Sequence, residues 1–191
     1  MNHSKKTLLI IAVLALITTS CRKGEDDPFL SFRSRKSRLT GEWVLKSGTV
    51  VKKSTSFEDV DTYNGSSVYS STDTIPYTEV WKFNKDGSFE YKQSNTGNTV
   101  NNLWEGTWSF GNKDEAIDLK NKESVILRVT RVKYEGSLGL YDTYYSGTNC
   151  LVYSRIIKQL RNKTMTFEID GSSTSSNPSI SYTGTMTYEK L

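Results

Sequence analysis

The chain has 191 residues, with 25 Lys and Arg against 21 Asp and Glu, and its formal net charge at pH 7 is +4. This weak positive balance is not that of a nucleic-acid-binding domain, so we expect no nucleic-acid partner. The one histidine, His3, lies in an N-terminal segment that we expect to be removed. The rest of the chain then lacks the commonest general base and a frequent zinc ligand, so we expect no enzyme, no catalytic residue, no cofactor and no metal site.

The N-terminus has the pattern of an export signal. Lys5 and Lys6 precede an apolar run over residues 8–17, which is too short to span a bilayer but has the size and flanks of a secretory signal peptide. Small polar residues at 18–20 then lead to Cys21, an arrangement that resembles the lipobox of bacterial lipoproteins. The resemblance implies that residues 1–20 are removed and that Cys21 is lipidated. The alternative is a plain secretory signal in which the cysteine occurs by chance.

The segment after Cys21 is polar, as a tether between an anchor and a folded domain should be. Its acidic residues 25–27 resemble the surface-export signal near the mature start of Bacteroidetes lipoproteins, although such a short charge cluster is also compatible with a simple soluble linker. We therefore expect an outer-membrane lipoprotein on the cell surface, with the periplasmic face as the alternative. We assign residues 21–39 to the lipidated N-terminus, tether and a short helix.

The basic residues cluster once, in RSRKSR at residues 33–38. One interpretation is a headgroup- or phosphate-binding patch close to the membrane anchor. The other, which we favour, is a solvated first turn of helix that leads into the folded domain at residues 40–191.

From about residue 40 the apolar residues recur with a period of two, which is typical of half-buried strands. Trp81 and Phe83 share one face, residues 86–87 form an Asp-Gly turn, and Phe89 and Tyr91 resume the alternation, so this segment is predicted to be a β-hairpin. The turn lacks the spaced carboxylates and the terminal glutamate of a calcium-binding loop. We therefore interpret it as a turn.

The same alternation predicts further strands. They occupy residues 103–110, 116–119, 124–132, 151–160, 165–170 and 180–190, after a first strand that begins near residue 41. Turn-separated antiparallel strands in series, about eight to ten in all, indicate an all-β up-and-down barrel or a sandwich. The inward glycines Gly106 and Gly184 favour the barrel, because strand glycines often mark its tight bends.

Between these strands lie long polar stretches, which we predict to be loops or ragged strand ends. They cover residues 53–74, 94–101, 135–149 and 171–178. The acidic EDVD at residues 58–61 belongs to the first of them, and we interpret it as an exposed loop. Once Cys21 carries lipid, Cys150 has no intramolecular partner, and we expect a buried small apolar side chain rather than a nucleophile.

The sequence RLTGEWVL at residues 38–45 resembles the GxW opening of lipocalins, with Gly41 and Trp43 in the motif positions. The succession of hairpins that follows resembles the lipocalin-like domains of Bacteroidetes lipoproteins over most of residues 21–191. This resemblance implies a lipocalin-like barrel in which Trp43 is buried at the closed end.

In lipocalins an arginine on the last strand packs over that tryptophan. The last strand here offers Lys190. Arg35 or Arg38 would be the substitutes from the N-terminal side.

Two functions remain open for this barrel, which we expect to be a monomer. The resemblance implies a binding protein for a small apolar or amphipathic ligand. The alternative is a packed barrel whose loops contact a protein or glycan at the cell surface. The candidate ligand-binding residues are Trp81, Trp104 and Trp108 on the strands, and Tyr141, Tyr144 and Tyr145 on a predicted Gly/Ser loop. Those tyrosines would otherwise only cover one end of the barrel.

The state of the interior separates the two functions. Ten aromatic side chains occupy inward-facing positions of the predicted strands and could nearly fill an eight-stranded barrel. They are Trp81, Phe83, Phe89, Tyr91, Trp104, Trp108, Phe110, Phe167, Tyr182 and Tyr188. Trp104 and Trp108 lie about 13 Å apart along one strand, so that one could line a mouth while the other packs the floor. An apolar pocket of at least about 300 Å³ beside them would favour the ligand-binding function, and a solid interior would favour the interaction module.

Overall fold

The computed structural model describes residues 33–95, 100–117, 119–120, 123–136, 139–173 and 179–191. The one α-helix in these ranges, α1, spans Arg35–Leu39. The strands are β1 (Gly41–Lys53), β2 (Glu58–Tyr63), β3 (Ser67–Tyr69), β4 (Thr74–Pro76), β5 (Thr78–Phe83), β6 (Ser88–Asn95), β7 (Val100–Phe110), β8 (Ser124–Gly136), β9 (Gly139–Tyr144), β10 (Leu151–Leu160), β11 (Thr164–Ser173) and β12 (Ile180–Lys190). Single 3-10 turns lie at Glu115–Ile117 and Gly147–Asn149. No helix in the described part of the chain is long and apolar enough to cross a membrane.

Eight of the strands close into an antiparallel barrel. Their order is β1-β5-β6-β7-β8-β10-β11-β12, and β12 pairs with β1 to complete the ring. Four more strands extend the sheet outside the ring: β2, β3 and β4 continue from β1, and β9 pairs with the far half of β8. The predicted all-β antiparallel barrel is therefore confirmed.

The aromatic side chains that the alternation placed on the inner face do lie there. Each is buried in the core or packed against it: Trp81, Phe83, Phe89, Tyr91, Trp104, Trp108, Phe110, Phe167, Tyr182 and Tyr188. Successive strand residues point to opposite faces, so a strict period of two is enough to assign the inner face.

Helix α1 lies at one end of the barrel, which we call the closed end. Ser34 caps its first turn by accepting a hydrogen bond from the backbone N–H of Ser37. The buried Arg38 donates from Nη1 to the carbonyl oxygen of Leu160 at 2.5 Å, which ties the helix to the end of β10. The helix interpretation of the basic stretch is thus confirmed, but its description as solvated is wrong for Arg35 and Arg38, which are 5% and 4% exposed.

The tryptophan of the GxW motif is fully buried at this closed end, as predicted. Trp43 has no exposed surface, and its Nε1 donates to the carbonyl oxygen of Leu39 at 2.7 Å. The Nζ of Lys190 lies 5.0 Å from the Trp43 ring centroid and donates to the carbonyl oxygens of Arg38 and Thr40. Lys190 therefore supplies the cation over Trp43.

The two inward glycines mark places where neighbouring backbones come very close. A Cβ atom on Gly106 would lie 2.0 Å from the carbonyl oxygen of Arg128, and one on Gly184 would lie 2.0 Å from that of Thr49. The register between β7 and β8 also shifts between Glu105 and Gly106. Only glycine permits this approach, which supports the prediction that these positions bend the barrel wall.

Several predicted loops are strands. Residues 53–74 contain β2, β3 and the start of β4, and residues 135–149 contain β9. The predicted exposed loop at residues 58–61 lies in β2, where Asp61 is buried and forms an ion pair with Lys52 Nζ at 2.7 Å.

One further prediction is wrong, and two others concern residues that the structure does not describe. Cys150 is partly exposed rather than buried. The signal peptide and Cys21 lie outside the described residues, as do residues 96–99 and 174–178 within two of the predicted loops.

Candidate functional site

The half of the barrel remote from α1 contains a cavity of about 200 Å³. Its apolar wall includes Trp81, Tyr91, Trp104 and Phe167. Two charged side chains, Glu79 and Arg155, also line it. Side chains beside α1, such as those of Leu39, Trp43 and Leu160, are fully buried, so the closed end is the packed half and the cavity lies toward the other end.

Glu79 is a buried carboxylate with three hydrogen-bond donors. Its Oε2 accepts from the hydroxyl of Tyr77 at 2.6 Å. Its Oε1 accepts from Trp81 Nε1 at 2.9 Å and from the Tyr188 hydroxyl at 2.5 Å. These bonds compensate the loss of water around a carboxylate that is 5% exposed. They also fix three of the rings that line the cavity, those of Tyr77, Trp81 and Tyr188.

The hydroxyls around Glu79 remain protonated far above neutral pH. Burial, followed by the nearby Glu79 carboxylate, raises the pKa of Tyr77, Tyr91 and Tyr188 well above the usual value. Tyr63, whose ring meets that of Tyr77 at 5.0 Å, has its pKa raised by burial and by Asp61. The polar side of the cavity therefore consists of neutral hydroxyl donors around one acidic group.

Sequence reasoning did not single out Glu79, although the alternation contains the signal. Residues 79, 81 and 83 share the inner face of β5, and all three are buried. An acidic residue at an inward position of a strand needs buried partners. The inward position of Glu79 in the alternation therefore indicates a polar site inside the barrel.

Aromatic rings run from the interior to the mouth of the cavity. Trp81 and Tyr91 have ring centroids 4.3 Å apart, and Tyr91 and Trp104 have centroids 5.2 Å apart. Trp104 then stacks on Tyr153 at 5.1 Å with the ring planes 17° apart. Trp81 and Trp104, both predicted ligand-binding residues, therefore lie on one continuous surface.

Trp108 lies elsewhere. It is buried in the packed half, where its edge meets Phe83 at 5.7 Å and its Nε1 donates to the carbonyl oxygen of Asn84. It does not line the cavity. Of the two tryptophans of β7 that we expected among the ligand-binding residues, Trp104 lines the cavity and Trp108 packs in the core.

The three candidate tyrosines are not on one loop, and none of them lines the cavity. Tyr141 and Tyr144 belong to β9 and are 52% and 70% exposed, while Tyr145 directly follows the strand. Tyr141 pairs with Tyr134, which is two residues beyond Val132, the partner of the inward Trp104.

This register separates the tyrosines into two sets. Because side chains alternate, Tyr141 faces the same side as the inner wall. Tyr144 faces the other way, under the guanidinium of Arg131 at 5.1 Å.

A second concave region, of about 370 Å³, lies on the outer surface of β5–β8. Its lining includes the outward side chains of Val80, Lys92, Leu103 and Lys133. It is a groove on the barrel wall and contains none of the candidate residues. Across the described residues, no group of three or more His, Cys, Asp and Glu side chains could hold a metal ion.

No protein-family model, curated protein or solved structure matches this chain. Its resemblance to lipocalin-like lipoproteins therefore stays a prediction. The cavity, its buried carboxylate and its aromatic wall are the basis for assigning a function.

Proposed function

We propose that this protein is a non-catalytic, lipid-anchored binding protein of the outer membrane, displayed at the cell surface, and that its barrel holds one small amphipathic ligand. The observation that supports binding is the cavity of about 200 Å³ in the open half of the barrel, with aromatic walls and two charged groups. Concave, mainly apolar sites with a few polar groups are the usual form of small-molecule sites.

The volume limits the size of the ligand. A cavity of about 150 Å³ accepts benzene, whereas pockets for drug-sized molecules begin near about 300 Å³. A cavity of about 200 Å³ therefore suits a single ring, or an alkyl chain of similar volume, with a short polar arm. The cavity is therefore smaller than the pocket of at least about 300 Å³ that would favour ligand binding. It also differs from the solid interior that would favour the interaction module.

The location part of the proposal is supported by the sequence. An apolar run too short to span a bilayer ends at Cys21 and is followed by a polar tether. Mass spectrometry of the membrane fraction is expected to find Cys21 as the lipidated first residue, and Cys21→Ser is expected to move the protein to the soluble fraction. An unmodified Cys21, or cleavage at another residue, would contradict the anchor without bearing on the cavity.

Binding can be tested with three probes that share a benzene ring and a short arm: phenylacetate, 2-phenylacetamide and 2-phenylethylamine. Trp81 and Trp104 line the cavity and report occupancy by fluorescence, with calorimetry as the second readout. We expect at least one probe to bind with one site per chain. Val50→Phe and Ile169→Phe, which add volume at the cavity wall, are expected to prevent binding.

The matched control is Val152→Phe, because Val152 is 54% exposed on β10. Circular dichroism and the melting temperature establish that each variant is folded. Failure of all three probes to bind the unaltered protein would contradict the proposed function. Equal binding to the two folded cavity-filling variants would place the binding site elsewhere and would contradict it as well.

One observation favours the interaction module as the second candidate. Strand β9 pairs only with β8 among the described strands, and it carries the exposed side chains of Leu140 and Tyr144 at 65% and 70% exposure. A free strand edge of this kind can accept a strand from a partner protein. Loss of partner binding after truncation of β9, with the probes still bound, would support this second function.

A further inference from the structure

We propose that Arg155 is the ligand-recognition residue of the cavity and selects ligands with a carboxylate attached to a small apolar body. This inference rests on the proposed function and adds the chemical class of the ligand. It follows from the position of Arg155, its partners and the state of the other charged group in the cavity.

Arg155 lies on the inner face of β10 among apolar neighbours. It shares that face with Tyr153 and with the buried Ile157, two residues away on either side. Its register partner on β8 is Val125, which is fully buried, and Ile169 of β11 lines the same cavity. No acidic residue lies beside it at these inward positions.

The guanidinium has unused hydrogen-bonding capacity. Arg155 donates one hydrogen bond, from Nη1 to the carbonyl oxygen of Ser154 at 3.3 Å. Within the described ranges it forms no ion pair, in contrast to Lys158 on the outer face of the same strand, which pairs with Glu168 at 3.2 Å. An arginine presents five N–H donors in a planar fork that fits a carboxylate with two parallel bonds.

Glu79 cannot serve as the partner of Arg155 in this arrangement. In the order of the ring, β5 and β10 are four strands apart in either direction, so the two side chains project from opposite walls. Glu79 accepts hydrogen bonds from Tyr77 and Trp81, which lie beside or on its own strand, and from Tyr188 of β12, and among the described residues no ion pair joins it to Arg155. The carboxylate is therefore compensated in place, and the available charged donor is the guanidinium.

The positive charge of Arg155 acts electrostatically on groups inside the cavity. The pKa of Tyr91 is raised by burial and by Glu79, and the Arg155 guanidinium acts on it in the opposite direction. A ligand carboxylate near Arg155 would replace water at a half-buried cation, while its apolar body would contact Trp81, Trp104 and Phe167. The carboxylate would then be separated from Glu79 by the width of the barrel interior.

The test compares the three probes on the purified protein by calorimetry at pH 7. Phenylacetate is expected to bind at least about tenfold more tightly than 2-phenylacetamide, its neutral analogue of the same shape, and than the cationic 2-phenylethylamine. Arg155→Gln is expected to remove this preference by weakening phenylacetate binding much more than phenylacetamide binding. Arg155→Lys keeps the charge without the fork and is expected to give an intermediate affinity.

Arg128→Gln is the control, because Arg128 is an exposed residue on the outer face of β8. If the amide or the amine binds as tightly as phenylacetate, or if Arg155→Gln leaves phenylacetate binding unchanged, Arg155 does not select the ligand, and the proposed function stands without it. If none of the probes binds, both the inference and the proposed function are wrong.

Discussion

Trp43 shows how one residue joins three elements at the closed end. Its ring belongs to β1, its Nε1 bonds the last residue of α1, and Lys190 of β12 covers it. The motif resemblance in the sequence pointed to this residue, and complete burial agrees with it.

We therefore expect Trp43→Ala to lower the free energy of unfolding by about 3–5 kcal/mol, the usual cost of removing a large aromatic side chain from a core. Domains of this kind have a total stability of about 5–15 kcal/mol, so urea unfolding should show a large decrease in the midpoint. Val152→Ala, at an exposed site, should change the value by less than about 0.5 kcal/mol. A Trp43→Ala variant as stable as the parent would mean that the closed end is not assembled around this ring.

Gly106 is a residue where the smallest side chain is required by a neighbouring backbone. An added Cβ would lie 2.0 Å from the carbonyl oxygen of Arg128 and 3.0 Å from the ring of Phe89. Backbone cannot move aside as a flexible side chain does, so the strand pair itself would have to shift.

The expected result for Gly106→Ala is a loss of about 1–3 kcal/mol or more in the free energy of unfolding, as for other overpacked sites. The matched control is Gly171→Ala, because a Cβ on Gly171 would have no neighbour within 4 Å. Thermal and urea unfolding of the pair provide the measurement. If the two variants were equally stable, the close approach of β7 and β8 would not exist in the protein.

The inward aromatic residues could be predicted from the sequence because the period of two assigns a face directly. Glu79 was not predicted because the alternation was read from apolar residues, and it does not indicate which acidic residues are buried. Its partners Tyr77 and Trp81 are two residues away, but Tyr188 is separated from it by 109 positions. That third contact depends on barrel closure, which a local pattern does not contain.

At the scale of elements, the short outer strands were the part that the sequence did not predict. Segments such as Ser67–Tyr69 and Thr74–Pro76 are only three residues long, and they are strands because their backbone groups pair. They bury little apolar surface, so no alternation marks them. Strand β9 was likewise interpreted as a loop because its composition is rich in tyrosine, glycine and threonine.

The β8–β9 hairpin is stabilised on its outer face by Arg131. Its Nε and Nη2 donate to the two carboxylate oxygens of Asp142 at 3.0 and 2.9 Å, and its Nη1 donates to Glu105 of β7 at 2.9 Å. The hydrogen bonds from Arg131 lower the pKa of Asp142 below the usual value. One side chain thus links three consecutive strands outside the packed interior.

Arg131→Met is expected to loosen β9 without unfolding the barrel. Amide exchange in β9 should become about two- to fivefold faster, because exposed ion pairs contribute modestly even when their geometry is good. The urea midpoint should stay close to that of the parent, since β9 lies outside the closed ring. Lys133→Met, which removes a weaker pair with Glu135 at 4.0 Å, is the control. Unchanged exchange in β9 after Arg131→Met would contradict this role.

At the scale of the whole molecule, packing and binding divide the barrel into two halves. The half next to α1 contains fully buried side chains such as Leu39, Trp43 and Leu160. The other half contains the cavity, with Glu79 and Arg155 on opposite walls. The size of that cavity could not be predicted from the sequence, because it depends on how side chains from strands far apart in the chain meet across the ring.

Buried tyrosines in the cavity half determine how the barrel responds to alkaline pH. Burial and the Glu79 carboxylate raise the pKa of Tyr77, Tyr91 and Tyr188 in the folded protein above the value of about 10 expected after unfolding. The folded state then binds more protons above pH 10, so stability decreases as the pH rises. Lys190 acts in the opposite direction, because burial lowers its pKa, but it contributes one partly buried group.

We therefore expect the urea midpoint to be nearly constant between pH 7 and 9 and to fall above pH 10, where each such tyrosine adds up to about 1.4 kcal/mol of lost stability per pH unit. Tyr188→Phe should reduce this slope because one fewer hydroxyl must stay protonated, although it also removes a bond to Glu79 and lowers stability at pH 7. Tyr144→Phe, whose ring is 70% exposed, should leave the slope unchanged. A midpoint that stays constant to pH 11.5, or an equal slope in Tyr188→Phe, would mean that these hydroxyls ionise freely and that the Glu79 site is open to water in the folded protein.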